Sequence, residues 1–271
     1  MIKTVRPANM EILQYSFAKY SIISGILIAI ISGAFSFFIV MRKLSFLSVG
    51  ISHSALAGVA IGILLNINPY ITTFIFCMIT GFCIGKITKM GNLEYDTSIG
   101  IFFAFTMAIA IFFIFFGKIQ VNIVSYLFGS IIGVSFYDMI FTIIIFLLSG
   151  IFYFLFFKEL IFITFDEEVA KVSGVKVEVI DSIFLVILTI IIVACVKLVG
   201  IIMTSAFLII PASFAMNLSK TYLNVIILSI VFAVVSFILG FIFSFYYDVP
   251  VGATIVVIST IFYFVSLIFK K

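Results

Sequence analysis

Charge is what this chain has least of. Of its 271 residues only 10% are charged, against 65% apolar, whereas a soluble domain of this length carries roughly a quarter charged residues. That shortage excludes an ordinary globular enzyme. Histidine is scarcer still, with one residue, His53, so no histidine pair of the metalloprotease kind can form. Cys77, Cys83 and Cys195 all sit inside apolar runs and imply small core residues rather than a disulfide framework or a chelate. The pattern GxxxxGK followed by Ser or Thr is missing, which rules out ATP hydrolysis by a Walker loop in this chain. GxSxG is missing too. A net charge of +4, spread through loops, argues for orientation in a membrane and not for nucleic-acid binding.

What is present is a succession of apolar runs of 18 or more residues, the signature of an all-α, polytopic transmembrane bundle. A β-barrel is disfavoured because the runs do not alternate apolar with polar. The chain reads as one transmembrane domain, 1–271. Residues 1–16 are expected to lie at the membrane surface as a short amphipathic piece, with no cleavable signal peptide. Spans are predicted over 17–41, 44–66, 70–88, 97–117, 137–157, 179–197, 199–217, 221–247 and 250–269. That makes nine, or eight if 179–217 folds otherwise. Segment 118–135 is broken by Gly129 and Gly133 and suits a short re-entrant or interfacial piece.

Lys and Arg set the orientation. With the charged stretch 158–181 in the cytoplasm, ten cations fall inside and five outside. The N-terminus is then external and the C-terminus cytoplasmic.

The stretch 42–66 holds the most information. His53 lies ~15 Å along a helix that starts near Lys43, at the depth of the bilayer midplane. An ionisable group there is costly unless it faces a cavity or a partner, which makes it a functional candidate. Gly50, Ser54, Gly58 and Gly62 recur every four residues beside it, with Ala57 adjacent. Such a small-residue stripe lets another helix approach closely. Further on, Asp166, Glu167 and Glu168 precede Val-Ala-Lys-Val and read as a helix start, since anions favour an N-terminus. Pro211 removes one backbone hydrogen bond and marks a point where a span can bend.

Five stretches, in order, resemble the zinc/manganese-type permeases of bacterial ABC importers, the ZnuB-like class. They are RKLSFLSVGISHSALAGVAIG (42–62), EYDTSIG (94–100), SYLFG with GVS (125–129 and 133–135), FDEEVAKVSGV (165–175) and LVGIIMTSAFLIIPASFA (198–215). The resemblance implies a type II importer-like permease, a homodimer in the bacterial inner membrane with no tightly bound cofactor. It implies a transported divalent metal, zinc or manganese, two copies of a separate ATPase, and an external metal-binding protein. It assigns the loop 158–178 to coupling, through Phe165, Asp166, Glu167, Glu168, Ala170 and Gly174, and His53 to the metal path. The family's aspartate one turn before that histidine is Val49 here, so His53 needs further ligands from other helices, the twin subunit or water. Two alternatives stay open: a permease for iron-chelate or cobalamin-type substrates, and an ion-gradient-driven carrier with His53 as proton relay.

Overall fold

A computed structural model describes residues 16–91, 95–119, 129 and 134–270. The expected surface piece 1–16 and the re-entrant piece 118–135 lie almost wholly outside them. Among the described residues the secondary structure is helical throughout: α1 Ser16–Met41, α2 Ser45–Leu64, α3 Pro69–Gly91, α4 Tyr95–Phe116, α5 Phe136–Leu155, α6 Phe157–Phe165, α7 Glu167–Val172, α8 Val177–Val199, α9 Ile201–Leu218, α10 Tyr222–Tyr247 and α11 Val251–Ile268. Eight of these are long and apolar enough to cross a membrane.

Contacts at the helix ends sort the bundle into two faces. At one, Arg42 after α1 pairs with Asp181 in α8, Phe165 meets Tyr222, and Asn217 donates to Ser266. At the other, Lys197 of α8 pairs with Asp138 of α5 and lies over the Tyr70 ring of α3, while Tyr20 meets Phe136. Successive long helices therefore run in opposite directions. The shorter α9 starts beside Lys197 and ends beside Ser266, so it too runs the full distance, ~27 Å for 18 residues. Helix α9, set apart from the eight candidate spans by its shorter apolar stretch, follows α8 after one residue. That residue is Gly200, at φ 97°, ψ 163°, a backbone shape that side chains disfavour.

Several helix ends stop in the same way. After α1, α2, α4 and α7, the amides of Lys43, Asn66, Lys118 and Gly174 reach back three residues, and the next amide reaches back five. All four have positive φ. This is the Schellman ending, which satisfies carbonyls that a helix terminus leaves orphaned.

Between apolar helices in lipid there is little hydrophobic drive, so close packing must hold them. The most buried spans are α1 and α2. Around α1 stand α5, α8, α9 and α10, and around α2 stand α3, α4, α8 and α9. Near the Arg42 face Phe35, Phe38, Tyr153 and Phe184 form an aromatic cluster with centroids 5.7–6.3 Å apart. Across Pro211, α9 stays helical. The Ser36 hydroxyl on α1 accepts the Ala212 N–H at 3.0 Å and sits 3.5 Å from the Ile209 carbonyl. A neighbouring serine thus meets backbone groups that a proline loosens. The stretch 158–181, expected as a charged loop, is mostly helix: nearly all of α6, all of α7 and the start of α8.

Candidate functional site

The small-residue stripe of α2 works inside the chain. A methyl on Gly50 would stand 2.8 Å from the Ile99 side chain of α4, and one on Gly58 2.5 Å from the Thr73 Cα of α3. On Gly62 it would meet the Pro69 Cα at 2.8 Å. Ser54 is buried, donates to the Ile51 carbonyl at 2.7 Å and touches the Cys77 sulfur at 3.5 Å. Ala57 is buried. These residues seat α3 and α4 tightly on α2.

His53 lies on the remaining face of α2, partly exposed, with Val49 also partly exposed one turn before it and Phe46 open beyond. Its Nδ1 is 2.9 Å from the Val49 carbonyl oxygen, and its ring stands edge-on to Phe103 of α4 at 5.0 Å. A carbonyl oxygen only accepts, so Nδ1 carries the hydrogen in that contact and the lone pair sits on Nε2. Tying down one ring nitrogen to aim the other is how histidine ligands are usually oriented. The imidazole lies ~12 Å from the start of α2, eight residues in. Among the described residues no three His, Cys, Asp or Glu side chains gather to hold a metal ion. Val49 offers only its carbonyl. The described residues of one chain therefore supply a single imidazole and no chelate.

The second region is the turn from α6 to α8. Asp166 breaks the helix with extended backbone and caps α7, its carboxylate accepting the Val169 N–H at 3.0 Å. This is the usual work of an aspartate before a helix. Glu167 accepts from Lys171 one turn on at 2.6 Å and holds that ammonium above its ordinary pKa. Ala170 is completely buried, and Gly174, at φ 88°, closes the helix end. Two of the three acids are thus engaged within the turn itself.

Apolar side chains stand open beside these exposed acids. Val172 is 90% exposed, Phe165 59% and Val169 48%. Apolar side chains standing open in a charge-rich turn mark a contact surface. Sequence reasoning named Phe165 and passed over Val169 and Val172. The signal was available: with Ala170 facing inward, valines three apart on a short helix share the opposite side.

Behind this turn is a cleft of about 280 Å³ whose lining includes Arg42, Phe165, Glu167, Asp181 and Phe184. Arg42 donates to Asp181 at 2.7 Å and its guanidinium lies 5.1 Å from the Phe184 ring centre. The link joins the α1–α2 turn to the root of α8. At the far end of α8, Lys197 is held by Asp138, which also completes a capping box with Ser135. Sequence reasoning identified neither pair.

The model of a family described as ABC 3 transport family matches residues 14–270. The manganese transport system membrane protein MntC of Listeria monocytogenes is 33% identical over 258 residues, covering 95% of this chain and 92% of that protein. The high-affinity zinc uptake system membrane protein ZnuB of Haemophilus influenzae is 29% identical, covering 93% and 96%. Among solved structures, PsaBC from Streptococcus pneumoniae in complex with Fab superposes with a TM-score of 0.83 at 29% identity, covering 94% of this chain and 92% of that one.

Proposed function

The chain belongs to the ABC 3 transport family, and from that membership we propose that it is the membrane permease of an ATP-driven importer for divalent metal ions, manganese or zinc. Relatives named for each metal match it over nearly the whole length. The chain has no phosphate-binding loop of its own, so a separate ATPase supplies the energy.

On this chain the reading is carried by His53. Its Nε2 lone pair sits on a partly exposed face of a helix that is otherwise tightly packed. Borderline Zn²⁺ accepts imidazole and water together, and the harder Mn²⁺ prefers oxygen, so water would complete its shell beside one imidazole. A single imidazole per chain gives weak, transient ligation, and a second copy facing it would bring a second ring. Weak binding suits a path, since an ion held by a full chelate would not leave. The Arg42 face carries most cations and is taken as cytoplasmic. Metal arrives at the Lys197 face from an external binding protein.

Coupling is assigned to α6 and α7. Phe165, Val169 and Val172 form the apolar face that meets the ATPase. Asp166, Glu167, Ala170 and Gly174 shape and seat the helix that presents it, and Glu168 lies in its first turn. A push there reaches Arg42 and Asp181 directly, because Phe165 and Glu167 line the same cleft.

The test is uptake into proteoliposomes holding this chain with its ATPase and external binding protein. ATP-dependent accumulation of Mn²⁺ or Zn²⁺ is the expected result, and a vesicle that takes up neither overturns the reading.

A further inference from the structure

We infer that the groove between α9, α10 and α11 is a binding site for one anionic phospholipid of the leaflet at the Arg42 face, a site separate from the metal path. Its inner part is a groove of about 430 Å³ walled by Phe214, Leu228, Val231, Phe232, Val235 and Phe262. Phe214 and Phe232 are stacked at 4.0 Å, and Phe262 stands edge-on to Phe232 at 6.3 Å. The polar atoms at its back are already paired, since Ser266 accepts from Asn217 at 2.9 Å and donates to the Tyr263 carbonyl at 2.6 Å. The wall is therefore apolar in effect and suited to an acyl chain.

The groove does not end blindly. Leu218 and Leu228 are shared with a second cavity lined also by Ser219, Lys220, Thr221 and Asn224. Neither lining set contains an acidic residue. Lys220 is exposed there, and Lys270, also exposed, directly follows Phe269, which borders the groove. Hydrocarbon wall, then hydroxyl, amide and ammonium, complements a phospholipid in order from acyl chain through glycerol esters to phosphate. Basic pockets between helices at the cytoplasmic surface recognise anionic headgroups in this way. A soluble apolar ligand would have no use for the lysines, and free phosphate none for the phenylalanines.

The test uses the full chain in detergent, with native mass spectrometry of added palmitoyl-oleoyl phosphatidylglycerol against the same lipid with a phosphatidylcholine headgroup. One phosphatidylglycerol should be retained per chain at activation energies that strip phosphatidylcholine. Lys220→Glu, an exposed change that leaves packing untouched, should lower that retention about tenfold. Val235→Trp, which fills the groove, should lower retention of both lipids. Equal retention of the two headgroups, or a Lys220→Glu variant that holds phosphatidylglycerol as well as the native chain, overturns the inference. So does cysteine cross-linking at position 231 that joins two copies through this groove. Metal uptake is not read, so the outcome is independent of the transport reading.

Discussion

Arg42 and Asp181 stand 2.7 Å apart, joining the end of the first helix to the beginning of the eighth across 139 residues of sequence. Their side chains are 14% and 13% exposed. An ion pair so sheltered is worth little as a net gain, but breaking it strands a charge. Asp181→Asn should destabilise the folded chain by about 2 kcal/mol, below the 3–5 kcal/mol of a fully buried pair. The double variant with Arg42→Gln should recover part of the loss. Unfolding midpoints in detergent check this, and equal midpoints for the single variant and the native chain count against it.

His53 is predicted to matter to transport and not to folding. Its ring is only partly buried and makes one firm hydrogen bond. His53→Ala should reduce metal uptake at least tenfold, roughly the loss of 1.4 kcal/mol in the limiting step. His53→Gln keeps a donor for the Val49 carbonyl but has no imine nitrogen, and should behave like alanine. Uptake unchanged in both variants removes the ligand role.

Glycines in the long helices divide into two kinds. At Gly58 an added methyl meets backbone, the Thr73 Cα at 2.5 Å, which cannot swing aside. Gly58→Ala should therefore cost about 1–3 kcal/mol through overpacking. Gly150 has nothing within 4 Å. There the same change should be neutral or stabilising by up to about 1 kcal/mol, since alanine favours a helix. A pair of unfolding curves decides the matter.

Val172 is the residue through which the proposed ATPase contact can be tested most cleanly. It is the most exposed apolar side chain of α7, so Val172→Asp should leave the fold intact. It should weaken ATPase binding about tenfold and lower metal-stimulated ATP hydrolysis in parallel, as a charge set into an apolar contact does. Pull-down of the ATPase from the purified pair reads the first effect.

Ser36→Ala removes the hydroxyl that accepts the Ala212 N–H just beyond Pro211. Interhelical hydrogen bonds in lipid average well under 2 kcal/mol, so a loss of about 1 kcal/mol is expected. A Pro211→Ala background should shrink that loss, because the helix then satisfies its own amides.

Much of this architecture is legible from hydropathy alone, because a bilayer forces each pass into one long apolar helix. The eight long apolar helices follow from that constraint, and the acid-led start of α7 from the preference of anions for a helix N-terminus. The one-residue reversal at Gly200 is harder to read, since Lys197 and a single glycine make a faint boundary within a nearly continuous apolar run. Partners are not written in a linear pattern at all. Nothing near Arg42 in the sequence points to Asp181, nor anything near Lys197 to Asp138. The glycine stripe of α2 announces close approach without saying what approaches. The structure supplies the answer, α3 and α4. In α7 the eye goes to the acids, whereas two of these are engaged by capping and i,i+4 contacts and the valines are the open apolar surface.

Helix α8 is fastened at both extremities, to Arg42 at its root and to Asp138 at its tip. Sliding along its own axis would tear one clasp or the other, and bending would strain the aromatic cluster at its base. A rigid turn of α8 that kept both clasps would move the two surfaces together, some thirty-odd ångströms apart, roughly the length of its 23 residues.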